Sequence, residues 1–449
     1  MATNLLETYK GRLKVAERMY SQQHNGEKLS ESKKLITAKL LQNTSKFINE
    51  GFAPTMATQS GLGINANGTL GLFKKFAMNM VNVVMPNLIA SDIAIVYPMS
   101  SMSGYLNYLE YTTGNAKGEV ADDALIANPW QIGDVTTFTS QAVVETLNNS
   151  ATLSWTPVEK AWNAETGEEL AVATDGSGLA ASFTGKVKYL YNNTVVPQAK
   201  LPMLKAEMKS IPLLAHARRI AVYYSQIAAF QAKTDYGFDL GDQLAEKAAG
   251  QLSYEIDTEV VGAIDDAAGT ARITWNKAVP AAISKAEHYE GFSEAIEIGK
   301  QLIYDATKRF APNYMLIASN ILPILTFIKG FQAAPAGVIN GPYFAGTLNG
   351  VKVFVTPAMK AGRFVLGVNG DDMMSSAVVY APYMPIVPTQ LLGFADGGMT
   401  QGWSTLYDLK VLNPSLVVAG EVTDDQQNAG QAILLVNPTV DASSPVVSA

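Results

Sequence analysis

The sequence predicts an α+β protein in which β-rich and helical stretches are segregated along the chain. Residues 105–209 carry strand-like apolar runs interrupted by turn clusters such as Asp175–Gly178. In residues 239–266, apolar side chains instead return every fourth residue, as on one face of a helix. Residues 275–393 mix both patterns. Separate runs of strands and helices are typical of the α+β class.

Length and composition exclude several functional classes. The chain has 449 residues and 48.0 kDa, enough for two or three structural regions. Its net charge of −7 supplies no global basic face for tight nucleic-acid binding. Without cysteine it has neither disulfides nor thiolate metal sites, and its three histidines are far apart in sequence. We find no apolar signal core and no clean apolar span, so we expect a soluble, non-secreted protein outside any membrane.

Residues 1–50 differ in charge from the rest of the chain. They hold nine basic and five acidic side chains, a net of +4, which leaves −11 for the remainder. Helical patterns cover Leu5–Leu13 and Leu35–Phe47, the second after the N-cap candidates Ser30 and Ser32. The simplest interpretation is a solvated amphipathic arm.

The later segments follow in order. Residues 51–75 are rich in Gly, Asn, Ser and Thr and predict an extended arm that needs a partner surface. A helix over Leu72–Met85, ended by Pro86, should follow. Asp239 is the expected N-cap of the 239–266 helix, which at roughly 40 Å would suit a spine. Further on, we predict a strand at Tyr314–Ser319 and a short helix capped by Asn320.

Two charged pairs are candidate contact residues. Glu255 and Glu259 lie four apart on the long helix, so they could bind a metal, share acid–base chemistry, or simply form a solvated acidic face. Arg218 and Arg219 could grip a phosphate or carboxylate, or bind a neighbouring acidic side chain. We consider all four to be candidate intersubunit contacts, and we find no catalytic motif and no phosphate-binding glycine loop.

A short tetrapeptide marks the boundary between the basic segment and the glycine-rich arm. Ile48, Asn49, Glu50 and Gly51 form an aliphatic–x–Glu–small string that a protease could recognise in extended form. Its position at a change in composition gives it weight.

Read in order, these segments resemble the major capsid protein family of T-even-type tailed bacteriophages. The resemblance covers most of the chain and depends on the order and spacing of several stretches together. Those stretches are Ser32–Leu41, Val84–Met99, Leu204–Glu207, Tyr236–Leu240, Glu255–Val261, Tyr314–Ser319 and Val379–Pro388.

The resemblance implies the Hong Kong 97-type capsid fold. It assigns a basic pro-segment to 1–50, an N-terminal arm to 51–85, and an extended β loop with room for a small insertion to 103–208. A peripheral domain would comprise 86–102, 209–274 and 394–428, with its spine helix at 239–266. The axial domain would be 275–393, and 429–449 a C-terminal tail, poorly ordered or exchanged as a strand.

The resemblance also implies a structural, non-enzymatic role without cofactors. The chain would assemble with itself, as hexameric capsomers, into the icosahedral or prolate head shell of a virion around double-stranded DNA. It would do so in the bacterial host cytoplasm, with scaffolding, protease, portal, vertex and decoration partners. The family's protease cuts after Glu in a Leu/Ile–x–Glu motif, which Ile48–Glu50 matches and Leu29–Glu31 matches as the weaker alternative. An encapsulin-like compartment shell and a cytosolic polymer-binding β enzyme remain alternatives.

Overall fold

The computed structural model divides the chain into two compact units. We call Met1–Tyr105, Pro212–Ala306 and Phe310–Ala449 the body, and Leu106–Ile211 with Thr307–Arg309 the β unit. The structure describes residues 2–23, 28–47, 88–133, 135, 138–192, 201–237, 240–281, 283–334, 341–370, 374–388, 392–393, 398–425 and 433–435. The predicted arm at 51–85, the tetrapeptide at 48–51 and the cap Asp239 lie outside these residues.

The helices at the predicted segments Leu35–Phe47 and 239–266 begin and end close to prediction, whereas the predicted helix over Leu5–Leu13 is divided at Tyr9. The described residues form nine α-helices. They are α1 (Ala2–Thr8), α2 (Lys10–Gln23), α3 (Glu31–Phe47), α4 (Ala90–Ile93), α5 (Gln226–Asp235), α6 (Leu240–Ala268), α7 (Lys285–Glu290), α8 (Phe292–Thr307) and α9 (Leu322–Leu325). Among the described residues, no helix is both long and apolar enough to cross a bilayer.

Strands fall in both units, and the longest lie in the predicted β region and near the C-terminus. They are β1 (Ile95–Val96), β2 (Ser103–Thr113), β3 (Leu125–Ala127), β4 (Ala142–Thr152), β5 (Val158–Asn163), β6 (Glu169–Leu170), β7 (Gly178–Tyr191), β8 (Leu204–Leu214), β9 (His216–Ser225), β10 (Ile273–Asn276), β11 (Tyr314–Ala318), β12 (Phe331–Ala333), β13 (Tyr343–Leu348), β14 (Val351–Thr356), β15 (Arg363–Gly367), β16 (Val378–Pro388), β17 (Leu392–Gly393), β18 (Gly398–Val411), β19 (Val417–Thr423) and β20 (Ile433–Leu435).

Two sheets form the body. One has the order β1-β16-β18-β17, with β9 also paired to β18. The other has the order β12-β13-β14-β11-β15-β19-β10-β20. In this second sheet β11 is buried at every position and pairs in parallel with β14, as expected for a strand covered on both faces. The eight-stranded sheet is therefore the centre of the core of the body.

The long helix α6 joins the two sheets of the body. It packs on β9, β16 and β18 of the first sheet and on β15 and β19 of the second. Its buried stripe includes Leu252, Ile256, Val260 and Ile264, each at most 2% exposed. Burying such side chains stabilises the fold by about 1.5–3 kcal/mol each. One continuous stripe can therefore hold both sheets against the same helix.

The prediction of a solvated arm is wrong for helix α3, because one face of this helix is buried. Its inner face packs on β16, and Ala38, Leu40 and Leu41 are fully buried. The Asn43 side chain donates hydrogen bonds to the carbonyls of Met99 (2.7 Å) and Tyr383 (2.9 Å). Among the described side chains of α3, three of the six buried ones, Thr37, Asn43 and Thr44, are polar, which is why apolar periodicity alone underestimated the burial. As predicted, Ser30 caps the helix, its hydroxyl accepting from the Lys33 N–H at 3.3 Å.

Asn320 is a second correction. It does not cap α9, whose N-cap is Ile321 without a side-chain hydrogen bond. Its side-chain oxygen instead accepts from the Gly362 N–H at 2.9 Å. The amide therefore ties two loops of the body together, a role that only the tertiary fold defines.

The β unit contains a small core of its own. Strands β4, β7, β5 and β6 form a four-stranded antiparallel sheet, and β3, β2 and β8 form a three-stranded one. The core cluster of the unit consists of Val143, Leu147, Leu153, Trp155, Val158, Ala161, Leu179, Val187, Tyr189 and Tyr191.

A buried lysine lies beside this core. Lys117 is 3% exposed, and its ammonium donates to the carbonyls of Phe138 (2.8 Å) and Ser140. It also lies 5.5 Å from the ring centre of Trp155 and 5.1 Å from that of Tyr191. Burial lowers the pKa of Lys117 to about 8, because the charged form loses water. The carbonyls and the ring faces replace that water.

We expect Lys117→Met to destabilise the β unit by about 1–3 kcal/mol, because the carbonyls of Phe138 and Ser140 lose their donor. Hydrogen exchange of peptides from residues 138–192 in the full chain measures this. Lys186→Met is the matched control, since Lys186 is exposed and forms only a surface ion pair with Glu119 at 2.9 Å. Equal effects of the two variants would contradict a structural role for the buried ammonium.

Candidate functional site

Two of the four predicted contact residues pair with each other inside the body. Arg218 on β9 donates to Glu259 on α6 at 2.6 Å. The Tyr407 hydroxyl on β18 donates to the other oxygen of the same carboxylate. Arg218 lies opposite Thr405 in the sheet, which makes Tyr407 its diagonal neighbour on the adjacent strand. The Arg218 guanidinium lies 5.5 Å from the centre of the Tyr407 ring.

The cluster of Arg218, Glu259 and Tyr407 joins a helix to two strands. Burial, and then the neighbouring Glu259 carboxylate, raise the pKa of Tyr407, so its hydroxyl stays protonated and donating. The hydrogen bond to Glu259 raises the pKa of Arg218. The ion pair itself is about two-fifths exposed, 44% for Arg218 and 37% for Glu259, so its contribution to folding stability is small.

Arg219 and Glu255 have different surroundings from Arg218 and Glu259. Side chains alternate along a strand, so Arg219 lies on the other face of β9 from Arg218 and is exposed. Glu255 is also exposed and accepts a hydrogen bond from Gln251 at 2.8 Å, one helical turn away. These two remain available to a contact outside the chain, whereas Arg218 and Glu259 are joined within it.

Sequence reasoning missed Asp257, which lies between the two glutamates. Asp257 is 7% exposed, and its carboxylate accepts from the Ala90 N–H of α4 at 3.0 Å. Burial and the nearby charge of Asp92 raise its pKa to about 7, although hydrogen bonds from the Ala90 and Ile89 N–H groups oppose the rise. The available signal was its position beside Ile256 and Val260, on the edge of the apolar stripe.

The N-terminal segment contacts the same region through an ion pair with Asp92. The Lys33 ammonium of α3 lies 2.8 Å from the Asp92 carboxylate of α4, with 16% and 23% of the two side chains exposed. Lys34, one residue on, instead pairs with Glu17 of α2 at 2.9 Å. Residues 28–47 are thus held to the body by Lys33 at one end and by Asn43 at the other.

The two candidate cleavage motifs have different surroundings. Leu29 is 3% exposed, Ser30 caps α3, and Glu31 is the first residue of that helix. A protease that binds an extended segment would have to unfold this region first. The motif at 48–51 follows the end of α3 and lies outside the described residues.

The polar groups of this region hold structural elements of the body together. The described part of the chain contains no group of three or more side chains placed to hold a metal. His288 is buried, bonded through Nε2 to the Asn276 carbonyl at 2.8 Å and stacked on Trp275. The side chains of Asp257, Glu259 and Asn43 likewise form hydrogen bonds within the protein.

Comparison with known proteins gives consistent matches. The family model described as major capsid protein Gp23 matches residues 70–435. The major capsid proteins of Escherichia phage AR1 and Enterobacteria phage T4 are each 23% identical over 91% of this chain and 92% of their own. That of Vibrio phage KVP40 is 23% identical over 75% of each chain. The solved capsid of Myoviridae phage XM1 aligns with 75% of this chain and 92% of its own at 9% identity, with a TM-score of 0.39.

The Asp257 carboxyl predicts a definite pH dependence of stability. Its folded-state pKa of about 7 exceeds the ordinary value of 3.8, so the folded chain holds the proton more tightly. The resulting stabilisation is present below about pH 4 and is lost as pH rises to about 7, by up to about 4 kcal/mol. Asp257→Asn keeps an acceptor for Ala90 and should remove this slope. The measurement is thermal unfolding between these pH values.

The control is Asp266→Asn, an exposed carboxylate on the same helix, which should leave the slope unchanged. A slope that persists in Asp257→Asn would show that another group titrates in this range.

Proposed function

Because this chain belongs to the Gp23 major capsid protein family, and is therefore a structural component of a phage shell, we propose that many copies close into an icosahedral or prolate head around double-stranded DNA. The match over residues 70–435 carries this proposal. The helices and sheets of the structure confirm the α+β class that the sequence predicts, and membership of the family supports its Hong Kong 97-type form.

Exposed apolar side chains support repeated contacts between copies. In the β unit, Leu204 is 62% exposed and Met208 74%. In the body, Ile227 and Phe230 are 72% and 71% exposed, three residues apart on α5. Contiguous exposed apolar groups mark interaction surfaces, and copies that join through heterologous contacts bury such groups in one another.

The acidic chain suits loose retention of nucleic acid. A net charge of −7 repels phosphates on average, so packaged DNA would be held non-specifically and could leave when the head opens. The role is structural, with no cofactor or catalytic step assigned to the chain. The location is the virion, after assembly in the host cytoplasm with scaffold, protease, portal, vertex and decoration proteins.

Maturation would proceed by a cut after Glu50. Removal of residues 1–50 takes away α1, α2 and α3 and leaves Gly51 as the new N-terminus. The burial of Leu29 and the helical position of Glu31 favour the later motif, since a protease substrate must be extended at the scissile bond.

Assembly can be tested by electron microscopy of the expressed chain. We expect closed shells, and we expect Arg219→Glu and Glu255→Lys each to lower their yield severalfold, because both exposed charges are offered to neighbouring copies. Glu287→Lys, an exposed reversal elsewhere in the body, serves as the control. Solitary particles at every concentration would contradict the shell, and shells filled with a protein cargo would favour a compartment. Normal shells from both reversals would reject the two contacts alone.

The cut can be tested by mass spectrometry of the chain from mature particles. The expected N-terminus is Gly51, and Glu50→Gln should abolish it because the motif requires a carboxylate. Glu31→Gln is the matched control and should leave the product unchanged. A chain beginning at Ser32 would assign the cut to the earlier motif, and an intact N-terminus would reject processing altogether.

A further inference from the structure

A large cavity lies between the N-terminal helices and the rest of the body. Its volume is about 1420 Å³, and it is lined on one side by residues of α1, α2 and α3. The other side includes residues between 91 and 98, Lys352 at the start of β14, and the loop that carries Asn369. Small-molecule sites measure about 300–1,000 Å³, so this space is of a size for a polypeptide segment.

The lining is strongly basic for so acidic a chain. It contains Lys28, Lys33, Lys39 and Lys352, and its carboxylate is Asp92, which is paired with Lys33. Within the described residues, the other three lysines form no ion pair. A recessed surface with three uncompensated cations attracts an acidic partner and focuses its approach.

The wall between these lysines is partly apolar, with Ser30, Ser32 and Asn313 among its polar members. Leu35 is 37% exposed, although it lies on a helix whose other face is fully buried. Tyr9, Tyr97 and Pro98 line the same space and are only half-buried. An apolar surface flanked by cations is complementary to an amphipathic helix with one apolar and one acidic face.

We propose that this cavity is a docking groove for an acidic amphipathic helix of a partner protein. A DNA duplex fits the groove poorly, because the cations surround a recessed, partly apolar wall instead of lying on an open face, and because Asp92 faces the same space. The partner contacts the uncut chain on both walls at once, with Lys39 on the α3 side and Lys352 on the opposite side.

The groove gives the proposed maturation a second consequence, and this consequence rests on the proposed cut. Every lining residue from Leu5 to Gln42 precedes Glu50, so the cut removes one entire wall. A partner helix held between two walls would lose half of its contacts and dissociate. The groove would therefore bind its partner only before maturation.

The test uses the full uncut chain and a fluorescein-labelled synthetic helix of about 18 residues, or five turns, with leucine on one face and glutamate on the other. Fluorescence anisotropy at low salt should show saturable binding. Lys39→Glu and Lys352→Glu, one from each wall, should each weaken it about tenfold. Lys46→Glu, exposed on the same helix as Lys39 but outside the lining, is the matched control and should leave affinity unchanged.

Two further probes complete the test, a leucine–lysine helix of the same length and a short DNA duplex. Preference for either over the acidic helix, no binding of the acidic helix, or equal losses in Lys39→Glu and Lys46→Glu would overturn the groove. None of these results bears on the shell or on the Gly51 terminus, which microscopy and mass spectrometry report separately.

Discussion

Burial of one stripe of α6 is the constraint on which the rest of the body depends. The helix contacts both sheets, and its inward positions are apolar from Leu252 to Ile264. Asp257 lies on the edge of that stripe and is the polar link to α4, which in turn contacts Lys33 of the N-terminal segment. Displacement of α6 would therefore disturb both sheets, α4 and the docking of α3 together.

Several charged and polar groups of this protein bind distant parts of the chain. Arg218 and Glu259 connect β9 to α6, Arg363 reaches the C-terminal end of α6 through Asp265, and Lys117 satisfies two carbonyls in the β unit. Such bonds contribute little net energy when exposed and cost much to break when buried. They fix the geometry of a chain that is a structural component of a phage shell.

The elements with strong periodicity could be predicted from the sequence. The long helix was expected at 239–266 and spans Leu240–Ala268, and the apolar run at Tyr314 forms the fully buried β11. The burial of α3 escaped prediction, because Thr37, Asn43 and Thr44 are polar residues that hydrogen bonding makes compatible with the interior.

Site residues were harder to predict than elements. The pairing of Arg218 with Glu259 joins residues 41 apart in sequence, and the environment of Lys117 is built from Phe138, Trp155 and Tyr191. Spacing along the chain carries no information about such contacts. For Asp257 a local signal existed, since a carboxylate beside an apolar stripe must find a donor or lose its charge.

The attachment of α3 has a consequence for reversibility. In the intact chain, residues 48–87 connect this helix covalently to the rest of the body. The helix therefore rebinds to β16 within the same molecule, at a high effective concentration. Hydrolysis of one peptide bond in that stretch would make the helix a separate solute, and rejoining would then cost an estimated 4–15 kcal/mol of lost translational and rotational freedom. A single broken bond could thus make departure of the helix a one-way step, with no change in any contact that the helix makes.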